Sequence, residues 1–501
     1  MTDSTAVTAT RASVAPADAT NRWLILIIAC LAQFMVVLDA TVVNVALPSI
    51  QRGLHFSPAS LQWVVNAYTL IFGGFLLLGG RAGDLLGRKR LFMAGVVLFS
   101  AASLLNGLAQ SSGMLIVGRG LQGLGGALLS PAALSIITTT FTEQGERTKA
   151  LGVWSAIAAG GGAVGLIMGG VLTQLASWEW IFIVNVPVGV LTLLATLRFV
   201  PESRADLGHR SFDLAGAITV TSGLIVLVYA IVKAQAFGWG SGRTIGLIAA
   251  ALVLLAIFVA IERRSVAPLI RLSIFRMRTL SVANAVLLLV ASGLFGMFFF
   301  ASLYVQEILG YGPLHAGLAF LPVTFGIAIG AGLAQQLIRR IGVRNVGLLG
   351  IILATAGMLV LARVPVHGSY AGDLLPGLLP MSIGMGLAFV PITLLATGGV
   401  TGNDSGLASG LFNTSQQVGG SLGLAILSTL AASKTTSVLN GLHGSASAAA
   451  NVAARVSGYH VAFLAAAVML GAGALILGLV LRPRDLEGLN LEELSPSAVA
   501  A

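Results

Sequence analysis

The chain has 501 residues, of which 56% are hydrophobic and only 9% charged, and it carries a formal net charge of +10. That balance excludes a soluble globular domain, and the single cysteine, Cys30, excludes a disulfide framework or a thiol metal site. Apolar stretches long enough to cross a hydrocarbon core of ~30 Å recur from end to end. Residues 1–21, rich in Thr and Ala with no basic cluster ahead of the first apolar run, are expected to be a disordered cytoplasmic tail. Apolar spans then fall at roughly 23–46, 61–79, 91–109, 114–140, 150–173 and 180–199, giving an N-terminal six-helix bundle over 22–200. Two more, at roughly 213–232 and 244–261, lie between the longer connections 201–212 and 263–279 and carry few polar residues. They read as a two-helix insertion over 201–279. Spans at roughly 280–304, 315–338, 345–362, 374–398, 405–431 and 459–481 make a second six-helix bundle over 280–482, followed by a cytoplasmic tail over 483–501. The expected fold is thus an all-α polytopic membrane protein of about 14 spans. The connection 432–458, rich in Ala, Ser and Val, is compatible with a surface hairpin or an amphipathic helix.

The positive charge follows topology instead of forming a nucleic-acid face. With both termini cytoplasmic, about 21 of the 28 Lys and Arg fall inside and about 6 outside. Clusters such as Arg81/Arg88/Lys89/Arg90, Arg263/Arg264/Arg271 and Arg339/Arg340/Arg344 suit contact with anionic headgroups. The chain is therefore expected to sit in the cell membrane as a multi-pass protein, and no nucleic-acid partner is implied.

Asp39 is the one carboxylate well inside an apolar span by these boundaries, in Leu38–Pro48. An ionisable group there costs roughly 2.5–3.5 kcal/mol on insertion scales, so it marks an ion, proton or substrate path. Arg119, in Leu115–Gly126 of the fourth span, cannot shed its charge and needs water, a carboxylate or carbonyls. Counting 1.5 Å per residue from the outer ends puts Arg119 about 9 Å deep and Asp39 about 9–13 Å deep, so the two could pair. A purely structural ion pair is the alternative. In the fifth span Gly161, Gly165 and Gly169 recur every four residues, with Gly170 beside them, giving a smooth seam for another helix. Gly80, Gly83, Asp84, Gly87 and Arg88 form a glycine-rich cytoplasmic loop, in which Asp84 could lock one conformation by pairing with a helix N-terminus or a basic side chain. A degraded second copy of this loop, Gly332 to Arg344, lacks the acid. Gln33, Asn66, Tyr68, Asn284, Thr393, Asn413, Gln416 and Gln417 are candidates to line a substrate cavity, or to bond between helices.

No phosphate-binding Gly-x-x-x-x-Gly-Lys-Ser/Thr occurs, which argues against ATP hydrolysis. There is no His-Glu-x-x-His, and no acid pair lies within a span, so neither enzyme chemistry, a metal nor another cofactor is expected.

These motifs resemble the major facilitator superfamily, and within it the fourteen-span drug:H⁺ antiporter branch (EmrB/QacA type). The resemblance covers about residues 23–482. Leu38–Pro48 is similar to the branch's first-span signature, Gly80–Lys89 to the superfamily loop, Arg119 with Gln122-Gly123 to the fourth-span motif, and Trp178–Gly189 to a further branch signature. One departure is Leu166, which stands where the fifth-span antiporter motif has proline. The resemblance implies proton-coupled export of lipophilic small molecules by alternating access. Asp39 and Arg119 would carry proton coupling, the proton gradient would be the only driving force, and the monomer would be the working unit. A proton-coupled symporter importing a small organic solute is the alternative. An uncoupled pore or scaffold would leave Asp39 and Arg119 without a role.

Overall fold

The apolar segments fold as 14 membrane-length helices in the computed structural model, which describes residues 19–204, 213–265, 268–398, 400, 405–441 and 447–486. In chain order they are α1 (Arg22–Gly53), α2 (Trp63–Gly83), α3 (Arg88–Gly107), α4 (Ser112–Thr140), α5 (Gly145–Leu175), α6 (Trp180–Phe199) and α7 (Leu214–Phe237). The rest are α8 (Gly242–Arg264), α9 (Arg278–Ile308), α10 (Pro313–Ile341), α11 (Val343–Leu361), α12 (Tyr370–Thr397), α13 (Gly406–Asn440) and α14 (Ala448–Val480). Among the described residues there is no strand. In a bilayer only a helix or a closed barrel satisfies every backbone N–H and C=O without water. This is the all-α polytopic architecture expected from the sequence.

An even number of spans returns the chain to the side on which it started, called here the near end; the α1–α2 connection lies at the far end. One group forms around α1, which packs on α4, α5 and α6, while α3 packs on α4 and α6, and α2 on α4. A second group joins α9 to α12, α13 and α14, α11 to α12 and α14, and α10 to α12. Helices α7 and α8 pack on each other, and α7 also lies against α2 and α13, one helix from each group. Close approach drives this packing, because lipid tails compete equally for apolar side chains. Gly125 illustrates it: a Cβ there would stand 2.6 Å from the backbone N of Phe99 on α3.

The two groups are pinned together in the far half of the spans. Ser302 Oγ of α9 donates to the Asn44 carbonyl at 2.6 Å, and Gln306 Nε2 donates to the Val45 carbonyl at 2.9 Å. The Leu314 backbone N–H of α10 donates to Gln174 Oε1 of α5 at 3.0 Å. The hydroxyls of Thr69 (α2) and Ser421 (α13) lie 2.5 Å apart. Pro48 sits inside the first helix, and lacking an N–H it leaves the Asn44 carbonyl without its intrahelical donor.

Two stretches differ from the sequence expectation, and a third is one for which the sequence allows a hairpin or a helix. The Gly80–Lys89 stretch is not a loop: the second helix runs on to Leu86, so Gly80, Gly83 and Asp84 are helical and the chain turns only at Gly87. Gly87 has φ of 109°, a conformation that side chains resist, whereas the glycines before it are tolerated by packing. The 432–458 connection is mostly helix, since α13 continues to Asn440 and α14 begins at Ala448. Its Ala-rich sequence has no breaker before Gly441, and Ser447 caps the next helix by accepting from the Ala450 N–H at 3.2 Å. Finally, α8 runs past the expected end at 261 and carries Glu262 within it.

Candidate functional site

Asp39 and Arg119 meet. Arg119 Nη1 donates to Asp39 Oδ2 at 2.5 Å, a short charge-assisted bond, with Asp39 0% and Arg119 1% exposed. Further polar groups close around the pair. Arg119 Nε donates to the Val64 carbonyl at 2.9 Å, and Nη1 also reaches Gln122 Oε1 at 2.7 Å. Gln122 Nε2 donates to Asp39 Oδ1 at 2.6 Å and to Ser103 Oγ at 2.6 Å. Asn185 Nδ2 reaches the same Asp39 Oδ1 at 3.4 Å, and Asn106 Nδ2 donates to Gln122 Oε1 at 2.8 Å. The guanidinium carbon lies 4.4 Å from the centre of the Tyr68 ring and 5.7 Å from that of Phe182. Helices α1, α2, α3, α4 and α6 thus converge on one charge pair.

The energetics of such a pair are two-sided. Removing two ions from water costs several kcal/mol each, so the pair is weak evidence of stability; removing one partner alone costs about 3–5 kcal/mol. The bonded core of the network, Asp39, Arg119 and Gln122, is held rigidly in low dielectric, while Asn106 Oδ1 and the Tyr68 hydroxyl at its edge have no partner. Nothing polar at Asp39 is open to solvent in this conformation, although Ala40 beside it is exposed.

The glycine seam faces α1. A Cβ at Gly161 would stand 3.1 Å from Val37 Cγ1, one at Gly169 would stand 2.8 Å from the Val42 carbonyl, and one at Gly165 would overlap Thr41 Oγ1. Gly170 points elsewhere, into the first turn of α10, where a Cβ would be 2.7 Å from both the Pro313 carbonyl and Leu314 Cα. The fifth helix has no internal proline, and Leu166 is buried with its carbonyl against Gly317 of α10.

The cavity candidates scatter. Asn66 is enclosed and donates to Gln62 Oε1 at 3.2 Å, and Tyr68 is enclosed under Arg119. Asn284 is buried, donating to the Leu280 carbonyl at 2.8 Å. Gln33 is half-buried and accepts from Ser130 Oγ at 2.9 Å, and Thr393 Oγ1 donates to the Phe389 carbonyl at 2.8 Å. Asn413 is exposed, and Gln416 and Gln417 are half-buried on α13, with Gln417 Cβ against Gly73 of α2. The side chain of Asp84 lies outside the described residues. The acid at the N-terminus of the third helix is Glu202, whose Oε1 accepts from the Lys89 N–H at 3.2 Å and whose Oε2 lies 3.6 Å from Arg90 Nε. Arg88 joins the same turn by donating its backbone N–H to the Ser203 carbonyl at 3.0 Å. Asn185, Ser103, Asn106 and Glu202 were not singled out from the sequence. Asn185 alone had a signal, since it lies inside the Trp178–Gly189 motif.

Among the described residues, fourteen apolar helices, five of them enclosing an ion pair, define a multi-pass membrane protein of the transporter class, not an enzyme. The chain belongs to the Major Facilitator Superfamily, whose family model matches residues 29–424. It is 42% identical over 464 residues to puromycin resistance protein pur8 of Streptomyces alboniger, covering 92% of this chain and 90% of that protein. It is 39% identical over 414 residues to cephamycin export protein CmcT of Amycolatopsis lactamdurans, covering 82% and 85% respectively. A tetracenomycin C resistance and export protein of Streptomyces glaucescens is 36% identical over 420 residues, with 83% and 77% covered. Among solved structures, a bacterial homologue of the human lysosomal transporter Spinster, inward-facing and unoccupied, superposes with TM-score 0.67 at 17% identity, covering 95% of this chain and 99% of that one. That likeness carries the fold alone.

Proposed function

We propose that this protein exports lipophilic small molecules, such as antibiotics or secondary metabolites, in exchange for protons by alternating access. The near end, where the first described span starts, the last one ends and most Lys and Arg fall by the sequence count, would be cytoplasmic. The single observation that carries the reading is the enclosed Asp39–Arg119 pair, a charge couple with no catalytic neighbour and a high cost to build. Relatives bearing resistance and export names support the direction and the substrate class. The hydrogen bonds across the far half support a state closed on that side, with Asn413, Gln416 and Gln417 as groups a substrate would meet.

In this mechanism a proton arriving on Asp39 replaces Arg119 as its partner. A neutral carboxyl keeps room for the amide of Gln122 but no longer neutralises the guanidinium, so Arg119 turns toward carbonyls or water and the α1–α4 contact relaxes. Rocking then runs along the α1–α5 glycine seam. Asp84 would bias the same equilibrium from the near end. The protein would act as a monomer in the cell membrane, driven by the proton gradient without a cofactor. The test pairs drug sensitivity of a host with and without the gene with uphill export by the Asp39→Asn variant. Export against a gradient at the wild-type rate by Asp39→Asn removes proton coupling at this site. A host whose sensitivity to every compound is unchanged by the gene removes drug export.

A further inference from the structure

Outside the Asp39 network a second pair of acids is buried, at the base of the α7–α8 hairpin. Asp213, the residue capping α7, is 7% exposed, and Glu262, in the last turn of α8, is 4% exposed. Each spends one oxygen on backbone: Asp213 Oδ1 accepts from the Gly216 N–H at 2.7 Å, and Glu262 Oε2 from the Ile270 N–H at 3.1 Å. The other oxygens, Asp213 Oδ2 and Glu262 Oε1, are buried with no hydrogen-bond partner. The two groups share one space, since a Cβ at Gly216 would stand 2.9 Å from Asp213 Oδ1 and 3.0 Å from Glu262 Oε1. On the elements packed against them the charged groups are Arg263 and Arg264 of α8, Arg271 beyond Ile270, and Arg81 on the second helix. Arg263, Arg264 and Arg271 are exposed, Arg81 is half-buried, and none bonds to either free oxygen.

Glu262 Oε1 has no donor in this buried space, and a like charge beside it in low dielectric favours the neutral acid at Glu262. We propose that Glu262, packed beside Asp213, is a second proton-binding site. Its place in the fold gives it consequence. Phe258, one turn before Glu262 on α8, and Leu269 and Ile270 line a largely apolar cavity of about 200 Å³. The other walls come from α2, α7, α9 and α13, so the hairpin abuts both helix groups there. With the proton bound, Glu262 keeps segment 268–271, which leads into α9, docked on the hairpin. Loss of the proton sets two like charges against each other and loosens that junction. The proton acts as a near-end pH signal and is not carried across.

The test is infrared spectroscopy of the full chain in liposomes, carrying Asp39→Asn so that the carboxyl on α1 is silent. Exposed Asp and Glu are ionised at neutral pH. The expected result is a carboxylic-acid carbonyl band at neutral pH that bleaches as the pH is raised. The band should be lost on adding Glu262→Gln and displaced on adding Asp213→Asn. The amide introduced by Glu262→Gln keeps an oxygen for the Ile270 N–H, and the one introduced by Asp213→Asn keeps an oxygen to cap α7. Both variants therefore retain the contacts that fold the hairpin. Absence of the band, or a band that neither substitution moves, overturns the proposal while leaving the role of Asp39 untouched. Uphill export surviving Asp39→Asn does the reverse.

Discussion

The Asp39–Arg119 pair invites a double-substitution cycle, because stability and coupling should separate. In Asp39→Asn the guanidinium stays enclosed but keeps the Val64 carbonyl, Gln122 Oε1 and the Tyr68 face at 4.4 Å. One-sided removal costs about 3–5 kcal/mol, and a desolvated cation–π contact offsets up to about 2 kcal/mol. Asp39→Asn should therefore lose about 1–3 kcal/mol of unfolding free energy. Arg119→Met leaves Asp39 with only the amides of Gln122 and Asn185, and should lose about 5 kcal/mol. That loss should shrink at acidic pH, where a proton can stand in for the guanidinium. Removing both charges together restores a neutral interior and should cost about 1 kcal/mol or less. The resulting coupling, roughly 5–7 kcal/mol, exceeds the roughly 0.5–3 kcal/mol of ordinary contacting pairs. Reversible unfolding in bicelles gives the free energies, and uphill export in proteoliposomes gives the function. The double variant should be nearly as stable as the wild type yet unable to accumulate substrate from a proton gradient. Additive single losses would refute the electrostatic reasoning, and a double variant that still pumps would refute the coupling role.

Charge movement gives another expectation. With one proton exchanged per cycle at Asp39, export of a monovalent cation moves no net charge, whereas export of a neutral compound moves one. At about 2.3 kcal/mol per 100 mV, a potential of ~150 mV adds roughly 3.5 kcal/mol, over two decades of concentration ratio. Collapsing the potential alone should spare the cation and weaken export of the neutral compound; strong potential dependence for the cation would end the single-carboxylate scheme. At the far end, Gly170→Ala would place a Cβ 2.7 Å from the Pro313 carbonyl. It should raise the far-side accessibility of single cysteines near Gln174 and Leu314, and an unchanged labelling pattern would mean that this contact does not hold the far side shut.

The helices and the central ion pair were legible because both rest on strong local signals. Long apolar runs leave the backbone little choice but helix, and a charge inside such a run stands out against its neighbours. Depth counting along α1 and α4 put Asp39 and Arg119 at similar depth because helical rise is nearly fixed, and the structure brings them together. Ser103 and Asn106 were not legible, since a neutral polar residue in a span costs less and many occur without a site. Asp213 and Glu262 escaped for a different reason. They sit at span ends, where acids are usually solvated, yet here both are buried and the Ile270 N–H of segment 268–271 closes on Glu262. The glycines at 80 and 83 suggested a loop, but packing along the second helix outweighed their weak propensity, and positive φ alone fixed the turn at Gly87.

Pro48 has a consequence for how cheaply the far side can open and close. Most latches between helices need matched side chains, and parting them strands a donor and an acceptor. Here the proline exposes a main-chain acceptor, the Asn44 carbonyl, which Ser302 fills when the helix groups meet. When they part, water entering the opened side can bond the same carbonyl, and Ser302 can turn to a carbonyl one turn back on its own helix. In the proposed cycle neither position would leave a bare polar group, so this contact would add little to the free-energy difference between the two end states. In that cycle a catch of this kind would set the geometry of the shut position without biasing the traffic through it, and the direction would be left to the ions and the substrate.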